Sequence, residues 1–476
     1  LHEFLMNQSS NHHKTGERPQ AENILMNLRV LIVAEHASAK FGGEAALPWH
    51  YYRILRQRGI PTWLVVHERT RTELQALFPE DKNITYIPDT TWHRLLHRLS
   101  SLLPSRLSGF TLGLIMRMMT QLAQRSIVRH IVQEKKINII HQPIPVSPKE
   151  PSMIFGMGVP VIIGPMNGGM DYPPVFQQMQ SPIVNFTLAL GRKFSSLMNK
   201  LIPGKQQAAL LIVANKRTRR ALPQGVCKQV IELVENGVDL SVWKSCTSTR
   251  KAQSSITRYI FVGRLINWKA VDLLLLAFKH VSSQASVTLT IIGDGVERRN
   301  LEQQAQELDL LGTEVYQPGK VCFLGWLSQE ECSSQLEQSD VLVLPSLLEC
   351  GGAVVLEAMA KGLPVIATNW GGPADYLDAS CGILVEPLSR EIFIENLANA
   401  MLKLARSPEE REAMGKVGQN KVIQFFDWEV KVDYMIKVYQ QVIANHIAES
   451  QNRLTDGAGS VIDERNEILA TKKSLY

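Results

Sequence analysis

Two carboxylates with seven residues between them, Glu349 and Glu357, bracket a glycine pair in Glu349-Cys350-Gly351-Gly352-Ala353-Val354-Val355-Leu356-Glu357. The apolar run from Ala353 to Ala360 reads as a helix that begins just past Gly352, so Glu349 precedes the helix and Glu357 lies within it. A helix N-terminus offers unpaired N–H donors and partial positive charge, which together hold phosphate. Carboxylates of fixed geometry accept hydrogen bonds from vicinal hydroxyls. Two of them beside a phosphate-binding helix end could grip two sugars on either side of a diphosphate, which describes a nucleotide sugar. The bare spacing also fits a Glu349 that caps the helix and a solvated Glu357, and the flanking residues decide between the two.

Cations complete the set. The strand Tyr259-Ile260-Phe261-Val262-Gly263 is followed at once by Arg264, with Lys269 five residues on. At the C-terminal end of a strand, Arg can neutralise a diphosphate through paired donors and Lys as a point charge. The alternative is two surface cations beside an amphipathic helix from Ala270 to Val281. Gly293-Asp294-Gly295 closes the next strand, where main chain would abut the nucleotide and Asp294 reads as structural. No Asp-x-Asp occurs, so no carboxylate-held metal is expected. The negative charge then falls to Arg264, Lys269 and the amides of Gly352, Ala353 and Val354.

These residues need elements to position them. Asp340-Val341-Leu342-Val343-Leu344-Pro345 reads as a buried parallel strand that delivers the Glu349 loop. Further towards the N-terminus, Leu28-Arg29-Val30-Leu31-Ile32-Val33-Ala34 is a first strand, and Lys40-Phe41-Gly42-Gly43-Glu44 leads into a helix from Glu44 to Arg58. Gly42 and Gly43 let backbone approach a ligand, but no Gly-x-Gly-x-x-Gly is present, which disfavours a dinucleotide-binding dehydrogenase. Ile137-Asn138-Ile139-Ile140 leads to His141, and Val159-Pro160-Val161-Ile162-Ile163 leads to Gly164-Pro165-Met166-Asn167-Gly168-Gly169-Met170-Asp171. Open α/β sheets bind ligands at strand C-terminal ends, so His141, Asn167 and Asp171 are the candidates for an acceptor side. A lone histidine after a strand is more often a satisfied structural residue than a catalytic one. Residues 175 to 209 are expected as helices over the mouth of this first domain.

With Gly362-Leu363-Pro364-Val365-Ile366-Ala367-Thr368 and Gly371-Gly372-Pro373-Ala374-Asp375 included, the Glu349 stretch resembles the donor-site signature of retaining family 4 glycosyltransferases. The resemblance covers residues 29 to about 445, and its specific part lies in the C-terminal half. It implies an α/β architecture of the GT-B type: two Rossmann-like domains with parallel sheets facing across a cleft, and a C-terminal helix crossing back to the first domain. It implies donor contacts at Gly42, Gly43, Gly263, Arg264, Lys269, Gly293, Asp294, Glu349, Gly352, Ala353, Val354 and Glu357, with Glu349, Arg264 and Lys269 acting on the departing group. It implies no cofactor, with a nucleotide sugar (UDP- or GDP-linked) as co-substrate. In such retaining enzymes the acceptor hydroxyl attacks from the leaving-group side and passes its proton to the departing phosphate. The chain departs from the family at Gly164-Pro165-Met166-Asn167, where many members place a histidine; a Gly-Pro-x-x-Gly-Gly loop also occurs among relatives.

At 476 residues, with 45% hydrophobic and 20% charged, the chain fits a globular protein of two domains plus extras. The expected division is a tail over 1–27, a first domain over 28–244, a Ser/Thr-rich linker over 245–257, a nucleotide-sugar-binding domain over 258–427, a crossover helix over 428–448 and a disordered tail over 449–476. The net charge of +6 is unevenly spread: no Asp or Glu lies within 92–133 or 172–231, where Arg and Lys alternate with apolar runs. Such segments suit an anionic membrane surface, or else are core-facing stripes with solvated basic faces. Few aromatics and no recognisable module speak against nucleic acid. Six scattered cysteines, Cys227, Cys246, Cys322, Cys332, Cys350 and Cys381, suggest reduced thiols in the cytoplasm and no zinc site. The expected activity is hexose transfer to a glycan or lipid-linked acceptor in polysaccharide, lipopolysaccharide or glycolipid assembly, at the inner face of the cytoplasmic membrane. Transfer to a small soluble acceptor, a nucleotide-sugar epimerase or phosphorylase of similar architecture, and a non-catalytic nucleotide-sugar-binding protein are the other readings.

Overall fold

A computed structural model describes residues 28–40, 43–100, 112–179, 191, 194–227, 229–243 and 255–473. The apolar runs read as strands form two sheets, and every strand pairing is parallel. The first sheet holds β1 (Val30–Val33), β2 (Thr62–His67), β3 (Ile84–Ile87), β4 (Ile139–Gln142), β5 (Val161–Met166), β6 (Leu210–Val213) and β7 (Val230–Glu232), in the order β3-β2-β1-β4-β5-β6-β7. The second holds β8 (Thr257–Val262), β9 (Val287–Ile292), β10 (Val321–Gly325), β11 (Val341–Leu344), β12 (Val365–Thr368) and β13 (Gly382–Val385), in the order β10-β9-β8-β11-β12-β13. Strand order reverses beside β1 in one sheet and beside β8 in the other, and such switch points are where open α/β sheets take ligands.

Both sheets carry helices on both faces, which is why their strands are apolar throughout rather than alternating. In the first domain Val30, Ile32, Leu64 and Val66 enter one core while Leu31, Val33, Trp63 and Val65 enter the other. The second domain closes around a larger core built on β8, β9, β11 and β12. Tyr172, Phe176, Val238 and Trp243 join that second core although they precede the expected boundary. Most of the expected 245–257 linker and all of the 1–27 tail lie outside the described residues, and β8 begins at Thr257. Of the helices expected over 175–209, the structure has a 3-10 turn at Pro174–Met179, a helix over 194–201 and a short one at Gly204–Gln207.

The C-terminal helix does cross back. Trp428, Val432, Met435, Tyr439 and Val442 pack into the first domain against the helix Ala46–Gln57, and the His50 ring stacks on Trp428 at 4.5 Å. Their spacing of three and four residues makes one apolar stripe. Arg58 pairs with Glu429 at 2.6 Å and with Asp433. The helix runs over Trp428–Lys473, through most of the segment expected as a tail from 449. Beyond Asn445 the apolar stripe ends, but no proline interrupts the segment.

This helix also explains His141. The residue is fully buried; its Nε2 donates to the Gly164 carbonyl at 2.7 Å and its Nδ1 accepts from the Tyr439 hydroxyl at 2.7 Å. Burial pulls its pKa down to about 4, so the ring stays neutral. With both nitrogens spent on the protein, His141 ties β4, β5 and the crossover helix together, which corrects its candidacy on the acceptor side. Tyr439→Phe keeps the ring packing but strands Nδ1 without a donor, and should cost about 1–3 kcal/mol in urea unfolding. An unchanged midpoint would mean the contact contributes nothing.

Candidate active site

β8 and β9 end so close together that side chains are excluded. A Cβ on Gly293, whose φ is +131°, would sit 1.9 Å from the Gly263 carbonyl oxygen. The chain leaves β8 through Gly263 and Arg264 and tightens into a 3-10 turn at Asn267–Lys269 before the helix Val271–Ser282. Lys269 thereby points its ammonium at the Glu349 carboxylate, and the two form an ion pair with both side chains mostly buried. Arg264 is exposed and has no ion-pair partner among the described residues. Asp294 is also exposed; it accepts from its neighbour Gly295 N–H at 2.7 Å and pairs with Arg298 at 3.2 Å, as a turn-stabilising residue does.

β11 delivers the Glu349 loop as expected. The helix Ala353–Ala360 starts after Gly352 and has no side-chain cap, so its first-turn N–H groups, those of Ala353 and Val354, have no side-chain acceptor. Glu357 sits within this helix, half-buried, and burial raises its pKa to about 7. The loop is gripped from behind: Gly372 N–H donates to the Glu349 carbonyl at 2.8 Å. A Cβ on Gly372 would lie 2.2 Å from the Gly351 oxygen, and one on Gly371 would lie 2.2 Å from the Glu349 oxygen. Only glycines allow that approach.

The first domain holds the same loop from across the cleft. The buried Asn167 donates to the Cys350 carbonyl at 2.8 Å and to Glu235 at 2.5 Å, while Arg217 donates to the Asn167 side-chain oxygen at 3.2 Å. The neighbouring segment over 370–376 is held as well: Asn215 donates to Asp375 at 2.7 Å, Asn236 to the Tyr376 hydroxyl at 2.9 Å, and the Trp370 indole to the Asp171 carbonyl at 2.8 Å. Burial is the main cause that pushes the Cys350 thiol up to about 11, and Glu349, Glu235 and Glu44 add to it. Gly43 begins the 3-10 turn Gly43–Ala45 that leads into the helix Ala46–Gln57. Gly42 lies outside the described residues.

The structure thus brings together Glu349, Lys269 and the start of the helix that carries Glu357, and sets Asn167 against the loop's far side and Asp171 against Trp370. Asn167 joins the two domains with all of its side-chain polar atoms engaged, and the Asp171 carbonyl accepts from the Trp370 indole. Sequence reasoning missed Glu235, Asn236, Asn215 and Arg217. Asn236-Gly237 had the form of an ordinary turn and Arg217 of one cation in a basic run; neither carries a local sign of a partner more than a hundred residues away.

Comparison with known proteins agrees with this fold. Residues 251–421 match the family model described as glycosyl transferases group 1. The match lies in the second domain. A glycogen synthase of Mycobacterium tuberculosis is 26% identical over 211 residues, which are 44% of this chain and 48% of that protein. A GDP-mannose-dependent monoacylated alpha-(1-6)-phosphatidylinositol monomannoside mannosyltransferase of Corynebacterium glutamicum is 26% identical over 265 residues, 50% of this chain and 66% of that one. The chain therefore spans less than two thirds of these curated relatives, and about half of the first. A glycosyltransferase structure from Rickettsia africae superposes with a TM-score of 0.60 at 13% identity, covering 88% of this chain and 100% of that one. The fold is GT-B.

Gly351 tests the grip between the domains. A Cβ there would stand 2.3 Å from Asn236 Nδ2 and 2.6 Å from Glu235 Oε1. Gly351→Ala should push the loop away from the first domain and cost about 1–3 kcal/mol in urea unfolding. Parent-like stability would show that the loop can yield without cost.

Proposed function

We propose that the protein transfers a hexose from a nucleotide sugar, with retention and without a metal at the diphosphate, to a glycan or lipid-linked acceptor at a membrane face. The observation that carries this reading is the Lys269–Glu349 ion pair beside the uncapped N-terminus of the helix Ala353–Ala360, with Arg264 exposed just past the end of β8 and without an ion-pair partner among the described residues. In this reading Lys269 turns from Glu349 to the diphosphate, joined by Arg264 and the first-turn amides, while Glu349 accepts hydroxyls of the sugar and Glu357 those of the ribose. The bond from the anomeric carbon to phosphate breaks as the acceptor oxygen bonds to that carbon. The acceptor proton passes to the departing phosphate oxygen, so no side-chain base is required. The relatives named above support glycosyl transfer as the class of reaction.

Glu357 makes the donor step pH-dependent. Burial keeps it protonated up to about pH 7, whereas ribose hydroxyls donate to the ionised form. Donor binding therefore releases a proton, and affinity should rise about tenfold per pH unit below that pKa and flatten above it. Isothermal titration with a panel of UDP-, GDP- and ADP-sugars checks this; Glu357→Gln should bind weakly and lose the slope. A parent profile flat in pH, or unchanged in Glu357→Gln, sinks the assignment. Nucleotide release from one donor, dependent on Arg264 and Lys269, identifies the transferase; binding without release favours a non-catalytic donor-binding protein.

The lipid side of the proposal rests on a second observation. On the helix Thr91–Ser100 the exposed residues Trp92, Leu95 and Leu99 form one stripe, and on the helix over 194–201 Phe194, Leu197 and Leu201 form another. Arg94 and Arg98 flank the first and Lys200 the second. Exposed apolar stripes edged with cations lie in an anionic interface. No helix among the described residues is long and apolar enough to cross a membrane. Cosedimentation should show the protein on phosphatidylglycerol vesicles and not on phosphatidylcholine ones, with Leu95→Ser/Leu99→Ser reducing the bound fraction. Equal binding by that variant, or none by the parent, returns the choice to a soluble acceptor.

A further inference from the structure

We propose that His67, Asp89 and His93 form a binding site for a divalent transition metal, with zinc the ion that the donor set favours. His67 is the last residue of β2, Asp89 lies in the loop that leaves β3, and His93 is in the first turn of the helix Thr91–Ser100. One donor atom from each lies within 4.8 Å of the others. His67 and His93 are almost completely buried. His67 Nε2 and Asp89 Oδ1 face each other at 3.7 Å, beyond hydrogen-bond reach, and both are shielded from water with no hydrogen-bond partner. Leaving one such atom unpaired costs about 1–3 kcal/mol, so two aimed at one point call for a ligand between them.

The hydrogen bonds around His93 set its tautomer. Thr120 gives its hydroxyl proton to the Met116 carbonyl at 3.0 Å and so accepts from His93 Nε2–H at 3.1 Å. The lone pair is left on Nδ1, where the hydroxyl of the exposed Thr90 now rests at 2.7 Å. An ion at Nδ1 displaces that hydroxyl, whose exposed side chain rotates out to water, while Thr120 keeps the ring in place from behind, as outer partners of metal-bound imidazoles do. Binding at His67 Nε2 moves the ring proton to Nδ1 and gives up the Arg69 N–H contact, which is long at 3.3 Å. Two further charged groups face the site: Arg69, 3.7 Å from Asp89 Oδ1, and Glu68, which accepts from Asp89 N–H at 2.6 Å. Two imidazoles and a carboxylate, with a fourth position open to water, fit tetrahedral zinc. The sequence showed no zinc pattern because the three donors come from three different elements and no Cys pair marks them.

The full chain, stripped with a chelator, should take up one equivalent of zinc in competition with a chromophoric indicator, and zinc should raise its thermal midpoint. Cobalt in its place should give visible d–d bands without a thiolate charge-transfer band, which separates this site from the cysteines. His93→Gln and Asp89→Asn should each weaken zinc binding by about a hundredfold or more and remove the thermal shift. Asp89 is only half-buried and asparagine matches its shape, so that variant keeps the test valid where His93→Gln does not fold. No saturable uptake, a thiolate band, or uptake retained in both variants overturns the proposal; the last would point to His12 and His13 instead.

Discussion

Two loop backbones in van der Waals contact, 349–351 and 371–372, are the constraint on which the second domain's site depends. Where a Cβ would lie 2.2 Å from a carbonyl oxygen, only glycine is admitted, and the loop carrying Glu349 is held by main chain rather than by adaptable side chains. The same device recurs where Gly293 meets Gly263. Backbone-to-backbone packing of this kind leaves little room for rotamer exchange, so the charged groups set upon it hold their positions before any ligand arrives. The sheet beneath is apolar on both faces and serves chiefly to bring these two loops to one edge.

On that rigid base the electrostatics are spare. Lys269 and Glu349 neutralise each other in a mostly buried setting, where removing either partner would leave an uncompensated charge. Arg264 stays in solvent and Glu357 is held part-way to the neutral acid. The site therefore carries its positive charge in two states, one occupied and one available. An anion that draws Lys269 away simultaneously frees a carboxylate for hydroxyl groups.

What could be read from the sequence was what is local. The strands, the glycine pairs, and the placement of Arg264, Lys269, Glu349 and Glu357 follow from runs of a few residues with a definite period or turn. Contacts that depend on the docking of two domains leave no such trace: Asn167 reads as an acceptor-side loop residue, and it is instead a fully engaged bridge to Cys350 and Glu235. His141 misled for the same reason, since its partner Tyr439 is brought by a helix 298 residues later. The segment after 448 lost its apolar stripe, which removed the sequence sign of packing, while its backbone runs on as helix to Lys473.

The crossover helix has a temporal consequence. The first domain's core contains Trp428, Val432, Met435 and Tyr439, so part of its wall belongs to the last section of the chain. During synthesis that domain emerges with the face of the helix Ala46–Gln57 uncovered, and His141 without its phenol. At about 5–20 residues per second, the ribosome needs on the order of ten to forty seconds to make the second domain before the missing helix appears. For that interval the nascent first domain exposes an apolar groove, which only the last helix covers.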